Sequence, residues 1–459
     1  MTTQKTQMSQ KELLEAILYA ISRLIESGKV FPVLGLQWGD EGKGKIADLV
    51  AILFDIIARF QGGGNAGHTI NVNGKEYVFH QVPSAALIPG KTLLIGDGVS
   101  LNPHALKKEI EKLREAGIDL RGRLLIGTRA KLTLPTHCIL DAANENALGK
   151  MKVGTTLKGI GPTYTDNTAR KAVRVGDITM GDKYFKDRYY SLKNRHLEIL
   201  QSLSFNIDGF KLDNLSLEEY EQEWLDSIEY LKQFEFVDCP TYITNALNEG
   251  KKVMAEGAQG SMLDKDYGSY PFVTSSNVIG GGVCTGLGIA PNLVSGGLGI
   301  FKAYCTRVGT GPFPTERLDE TGNVLRYNGH ECGATTKRPR RCGWLDLPAL
   351  KYAARYLNNV KGLFMMKSDV LDDFDIIKVA TAYMHNGKKT EQLPYAACTE
   401  TMEPVYTEFT GWKQKVTDGR IPPKLNHYVN FIEKYVGIPI IGMSIGPNRY
   451  DNIVLPTKV

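Results

Sequence analysis

The feature that most restricts this chain is a glycine-rich loop between an apolar run and an amphipathic segment. Val30-Phe31-Pro32-Val33-Leu34-Gly35-Leu36 is apolar throughout, as a strand buried on both faces of a parallel sheet must be. Gly39-Asp40-Glu41-Gly42-Lys43-Gly44-Lys45 fits G-x-x-x-x-G-K, and Lys45 to Leu53 continues as a helix. Glycines let backbone N–H groups converge on phosphate oxygens. The helix N-terminus adds partial positive charge, and lysines supply point charges. A standard loop of this kind carries Ser or Thr after its last Lys to hold Mg²⁺, but here that residue is Ile46. A magnesium ion must then find oxygen elsewhere, and Asp40 is the carboxylate inside the loop. An acid beside phosphates is repulsive unless a cation or a proton transfer uses it. The loop therefore reads as a place for phosphoryl chemistry next to a general base.

Asp55 to Phe60 reads as a second strand, running into Gly62-Gly63-Gly64-Asn65-Ala66-Gly67-His68-Thr69. Thr92–Gly96, Leu124–Gly127, Lys252–Ala255 and Gly362–Met366 read as further core strands, with helical patterns between them at Pro103–Ala116 and Leu347–Asn358. This alternation predicts an α/β fold: a large, mostly parallel central sheet flanked by helices. Ser9 and Glu12 form a capping box opening a leading helix with Leu14, Ile17, Leu18, Ile21, Leu24 and Ile25 on its apolar face and Gly28 as its stop. That helix is expected to pack on the body of the protein rather than recruit a partner. A second box, Ser216 and Glu219, opens an acidic helix with Leu217, Tyr220, Trp224, Leu225 and Ile228 on one face. It predicts a peripheral helical insertion at about 179–239. With no repeat and no Pro/Ser-rich linker, residues 1–29 read as an extension and 30–459 as one elaborated domain.

Composition narrows the function classes. The 459 residues carry 55 basic against 50 acidic side chains, a net charge of +5, too slight for a dedicated nucleic-acid coat. Seven cysteines is an odd number, and no pair has C-x-x-C spacing. This suits a reducing, cytoplasmic setting better than a disulfide set or a zinc cage. No apolar run approaches the ~18 residues of a membrane span.

Other segments add chemistry. His68 sits in a Gly-rich loop beside the phosphate-type loop and could protonate a leaving oxygen or donate to phosphoryl oxygens. Lys367-Ser368-Asp369 follows a core strand. A carboxylate there can accept both N1–H and the exocyclic amine of guanine, which adenine cannot offer. Ser444-Ile445-Gly446-Pro447 could close the base pocket. Thr335-Thr336-Lys337-Arg338-Pro339-Arg340-Arg341, with Arg307 upstream, reads as a small-anion site. Glu256-Gly257-Ala258-Gln259-Gly260 and Thr274-Ser275-Ser276-Asn277 suit hydrogen bonding to a nucleotide.

Taken together, QWGDEGKGK, GGGNAGHT, GIGPTYTDNTAR, EGAQG, YPFVTSSN, KAYCTRVGTGPFPTE, RPRRCGWLD and KSDVLD resemble the adenylosuccinate synthetase family over almost all of the chain after about Phe31. The resemblance implies a relative of the phosphate-loop GTP-binding folds, typically homodimeric. It implies GTP-dependent ligation of IMP and L-aspartate to adenylosuccinate through 6-phosphoryl-IMP. Asp40 would be the base and an Mg²⁺ ligand, joined by the Gly67 carbonyl. His68 would assist phosphoryl transfer, with Lys43 stabilising the transferring group and Gln259 at the reaction centre. Asn65, Thr156, Gln259, Thr274 and Arg338 would hold IMP, and Arg170 would reach the IMP phosphate of the neighbouring subunit. Thr335, Thr336, Arg338 and Arg340 would line the aspartate site. GTP would meet Gly39, Glu41, Gly42, Lys43, Gly44, Lys45, Gly67, His68, Thr69 and Arg340. Its base would meet Lys367, Ser368, Asp369, Ser444, Ile445 and Gly446. The family usually has Gly where this chain has Leu157 and Lys337, a difference that matters where φ is positive. A diverged paralogue with another oxopurine or amino donor, a GTP-binding switch and a nucleic-acid-binding arginine loop are the competing readings, in that order.

Overall fold

The computed structural model describes residues 9–149, 152–333, 339–398, 402–416 and 420–455. Ten strands form its central sheet: β1 (Val30–Gly35), β2 (Ile56–Arg59), β3 (Thr92–Ile95), β4 (Leu124–Gly127), β5 (Glu235–Val237), β6 (Val253–Glu256), β7 (Leu298–Lys302), β8 (Gly362–Met366), β9 (Ile440–Ser444) and β10 (Asn452–Val454). Their order is β5-β4-β3-β2-β6-β1-β7-β8-β9-β10. Every neighbouring pair is parallel except β9–β10, which is antiparallel. The mostly parallel sheet expected from the alternation is what the chain builds. β1, β2, β6, β7, β8 and β9 are buried along their whole length, as their unbroken apolar runs require.

This topology positions the loops. β1 lies between β6 and β7; beyond β6 the order runs from β2 to β5 toward one edge, and from β7 to β10 toward the other. Ligands in open α/β sheets bind in the crevice at the carboxyl ends of strands at such a switch point. The loops leaving the carboxyl ends of β2, β6, β1, β8 and β9 are the Gly62–Gly67 loop, Gly257–Gly260, the phosphate-type loop, Lys367–Asp369 and Ser444–Gly446. Five segments far apart in sequence thus meet along one sheet edge.

Helices cover both faces. The leading helix, α1 (Gln10–Ser22), opens with the expected capping box: the Glu12 N–H donates to Ser9 Oγ at 3.3 Å, and the Ser9 N–H donates to Glu12 at 2.7 Å. It ends at Ser22 rather than at Gly28, because the chain must turn into β1. Leu24 and Ile25 lie in that turn and still pack on the core. The helix rests on β9 and β10, and Leu24 fills space left by Gly362 at the start of β8. α2 (Lys43–Val50) follows the phosphate-type loop and ends in a 3-10 turn over Ala51–Leu53.

Beyond it stand α3 (Pro103–Glu115), α4 (Pro135–Ala147), α5 (Ile160–Thr168), α6 (Asp182–Ser202) and α7 (Leu217–Leu231). α7 begins with the second expected capping box. Its Trp224 is wholly buried, stacks on Tyr189 at 5.1 Å and donates its indole N–H to the Thr133 carbonyl at 2.9 Å. The Leu347–Asn358 pattern forms an α-helix only over Leu347–Lys351, then widens to a π-helical stretch over Tyr352–Leu357. The Asn358 amide donates there to the Ala353 carbonyl at 2.8 Å. No helix among the described residues is long and apolar enough to cross a membrane.

Ile17 and Ile21 are 2% and 0% exposed although α1 precedes the first sheet strand. Ile21→Ala should therefore lower unfolding free energy by about 2–4 kcal/mol in a urea titration. A loss under about 1 kcal/mol would mean that the helix is not docked in solution.

Candidate active site

The phosphate-type loop is curled around a carboxylate. Glu41 is wholly buried. Its Oε1 accepts the Gln37 and Gly39 N–H groups at 3.0 Å each, and its Oε2 meets Lys43 Nζ at 2.5 Å. Two glycines make room for it: a Cβ on Gly35 would lie 2.5 Å from Glu41 Oε2, and one on Gly260 2.1 Å from Oε1. Glu41 therefore shapes the loop from inside, and Lys43 is paired with it. Gly42 caps α2 at φ 88°, a conformation that favours glycine. Lys45 turns toward the base-closing segment. Its Nζ donates to Ser444 Oγ and the Gly446 carbonyl at 2.8 Å and to the Asp451 carbonyl at 3.1 Å. Burial pushes the Lys45 ammonium down to about 7.

His68 begins a strand spanning His68–Val72, beside the first turn of α2; a Cβ on Gly44 would lie 2.6 Å from His68 Cβ. Its Nδ1 lies 2.6 Å from Glu256 Oε1, 3.0 Å from Ser84 Oγ and 3.2 Å from Arg59 Nη2. A carboxylate against Nδ1 requires the proton on that nitrogen. Nε2 is then a bare lone pair, and it is buried without a partner. Burial, reinforced by Arg59, depresses the imidazole to about 4 despite the pull of Glu256. Burial would raise Glu256 itself, but Arg59 and His68 hold it down to about 2. Arg59 and Glu256 are register partners at the ends of β2 and β6, so the sheet aligns the pair behind the imidazole. Sequence reading missed this support. The available signal was an Arg and a Glu ending two adjoining apolar strands, where a charge is tolerated only if paired.

The other predicted residues take definite places. Asn65 Oδ1 and both amide atoms of Gln259 are buried without protein partners. Thr156 and Thr274 are half-buried, Gly67 is half-buried, and Thr69 is exposed. Arg170 is exposed, just past the end of α5. Asp369 Oδ1 is buried and unpartnered, and burial raises its carboxyl above the usual range. Ser368 Oγ donates to the Ser444 carbonyl at 2.9 Å, and the Ile445 N–H donates to Asp451, so the two base-side segments are tied together. Thr335, Thr336, Lys337 and Arg338 lie outside the described residues. Arg340 Nε lies 2.9 Å from Asp40 Oδ2, which joins the arginine segment to the phosphate-type loop.

Two members of the expected small-anion site are spent within the fold. Arg307 donates to Ser269 Oγ and to the Thr310, Pro312 and Phe272 carbonyls. Arg341 donates to both carboxylate oxygens of Glu316 and to the Gly309 and Gly311 carbonyls. Both brace the turn through Gly309–Pro312.

His137, Asp166 and His196 form the single group of three potential metal ligands found among the described residues. Hydrogen bonds account for it. The Leu134 N–H donates to His137 Nδ1 at 2.8 Å, so the neutral ring carries its proton on Nε2 and gives it to Asp166 at 2.8 Å. A metal at Nε2 would need that nitrogen bare.

A profile of the adenylosuccinate synthetase family matches residues 32–453. The chain belongs to the adenylosuccinate synthetase family. An adenylosuccinate synthetase of Parabacteroides distasonis is 50% identical over 434 residues, 94% of this chain and 100% of that one. One of Bacteroides thetaiotaomicron is 52% identical over 429 residues, covering 93% and 98%. A fully ligated adenylosuccinate synthetase from Plasmodium falciparum superposes with a TM-score of 0.85 at 36% identity, covering 93% of this chain and 100% of that one. As a member of this family the chain is a ligase of purine biosynthesis, forming adenylosuccinate.

Leu157 is strained: its φ is 56°, where a glycine would be at ease. Leu157→Gly should change stability by less than about 1 kcal/mol, since relief of strain offsets the freer unfolded chain. Leu157→Val should destabilise, because a β-branched residue resists positive φ; equal Tm values for the two variants would refute this account.

The depressed imidazole gives a pH test. The folded state favours neutral His68, so its contribution is present above the unfolded pKa of about 6.5. It is lost as pH falls from there toward about 4. The stability difference between wild type and His68→Asn should shrink across that window in denaturant titrations. A difference constant from pH 7 to 4 would exclude a neutral buried His68.

Proposed function

We propose that the chain couples IMP and L-aspartate at the expense of GTP, releasing GDP and phosphate, with 6-phosphoryl-IMP as intermediate. The observation that carries this reading is a set of buried polar atoms with no protein partner on Asn65, His68, Gln259 and Asp369. Buried polar groups are nearly always satisfied. Other such atoms, on His104 and Arg188 among them, lie elsewhere in the fold, but these four residues stand on or next to loops leaving one sheet edge, which supports their being partnered by substrate.

The IMP 6-oxygen is a poor leaving group until phosphorylated. Asp40 takes the N1 proton as the 6-oxygen attacks the γ-phosphoryl, so negative charge need not accumulate on the purine. His68 takes a second proton from solvent at Nε2 as the phosphoryl charge approaches. It then donates to the transferring group while Glu256 holds the opposite nitrogen. The loop N–H groups meet the phosphates, Lys43 adds its charge from its place against Glu41, Lys45 adds its own from beside Ser444, and Asp369 reads guanine. The aspartate amine then displaces phosphate from C6.

Asp40 and the Gly67 carbonyl are hard oxygen donors, the type magnesium prefers, and with Ile46 after Lys45 no loop hydroxyl competes for the role. These two would hold Mg²⁺, which when bound neutralises charge on the β- and γ-oxygens. Arg170, exposed beyond α5, suits a homodimer in which it reaches the partner's IMP phosphate. Described cysteines without disulfides fit a cytoplasmic enzyme.

The test is phosphate release and adenylosuccinate formation from GTP, IMP and aspartate with Mg²⁺. Asp40→Ala should lose on the order of a hundredfold or more in kcat while its Tm stays near wild type. A fully active variant removes the proposed base, and turnover only with another amino acid points to a diverged donor.

A further inference from the structure

Glu331 lies between the helix Glu320–Asn328 and the arginine-bearing segment, and it is wholly buried. Its carboxylate serves several elements at once. Oε1 accepts from Lys302 Nζ at 3.1 Å, from Lys367 Nζ at 2.8 Å and from the Tyr304 hydroxyl. Oε2 accepts from Arg340 Nη1 at 2.7 Å, and the Glu331 carbonyl accepts the Arg340 N–H at 2.9 Å. Lys302 ends β7, and Lys367 follows β8 and opens the base-reading turn. Arg340 reaches onward to Asp40 at 2.9 Å.

One charge would satisfy one buried cation, yet this carboxylate gathers three. Lys302, Lys367 and Arg340 thus converge on one carboxylate beside loops assigned to a polyphosphate and a dicarboxylate. The two oxygens face different ends of the site. Oε1 fixes the lysine of the base-reading turn, and Oε2 fixes the arginine that meets Asp40. Removing or moving either cation changes what the shared carboxylate can offer the other.

We propose that Glu331 is a positioning residue that couples the guanine end of the site to the Asp40 and aspartate end, by holding Lys367 with one oxygen and Arg340 with the other. The assignment rests on the functional reading above. When a guanine nucleotide orders the Lys367 turn, Glu331 orders Arg340 in the same act, so nucleotide and aspartate favour each other's binding. Linkage requires the effect to be reciprocal. Burial would raise the Glu331 carboxyl, but its three cations hold it well below the usual range, in keeping with a carboxylate ionised at every working pH.

The test uses the full chain with Glu331→Gln, which keeps the shape and loses the charge. KM for GTP and for aspartate should each rise about tenfold, and KM for IMP should stay within twofold. GDP affinity measured by calorimetry should improve about fivefold or more with saturating aspartate in the wild type, and be indifferent to aspartate in the variant. Unchanged KM values with a lowered Tm would overturn the proposal, as would a wild type whose GDP affinity ignores aspartate. If Glu331→Gln does not fold, Glu331→Gln/Lys302→Met removes both members of a buried pair and should restore folding without restoring the coupling. A double variant that stays unfolded, or regains the coupling, also overturns it. A wild type that shows the coupling but makes no adenylosuccinate would sink the functional reading instead.

Discussion

The site depends on the buried carboxylate of Glu41. A loop meant to present backbone N–H groups to phosphate must hold a tight curve before any ligand arrives, and unpaired N–H groups resist that curve. Glu41 supplies acceptors from within, binding the Gln37 and Gly39 N–H groups and drawing Lys43 inward. The arrangement demands space, and space comes from Gly35 on β1 and Gly260 after β6. Loop shape, strand packing and the neighbouring Gln259 segment are thus one constraint.

Around this centre the backbone is strained where chemistry is assigned. Asp40, Gln259 and Lys367 have φ of 57°, 54° and 58°, in the left-handed region that costs a residue with a side chain about 1–2 kcal/mol. Each lies on a loop after a fully buried strand. A sheet locked by parallel neighbours on both sides can impose such conformations, whereas an isolated loop would relax. Other residues, Leu157 and Arg170 among them, share this conformation, but Asp40, Gln259 and Lys367 are the ones whose side chains the reaction requires in one orientation.

Electrostatics follows the same plan. His68 and Glu256 sit behind one end of the site, and Glu331 joins the other end to Asp40. In both cases a fully buried carboxylate organises cations or an imidazole that face the ligand space. Arg307 and Arg341, by contrast, spend their donors on carbonyls and Glu316 and brace a turn. Hydrogen-bond partners therefore sort the arginine cluster into structure and site, which residue type alone does not do.

Much of this was legible in the residues themselves. Apolar runs of strand length followed by glycine-rich loops dictate a parallel sheet with its loops at one edge, because only a strand covered on both faces can be apolar throughout. The G-x-x-x-x-G-K spacing, the absent hydroxyl at Ile46 and the K-S-D after a core strand carry their chemistry locally. The partners of His68 and Arg340 were not legible. Arg59 meets Glu256 across 197 positions, and Glu331 meets Lys302 and Lys367 across 29 and 36. Such pairings depend on which strands become neighbours, and no local spacing encodes that order. The sequence determined the kinds of groups and the fold that brings loops together; tertiary packing decided which carboxylate each cation finds, because that choice is made by burial.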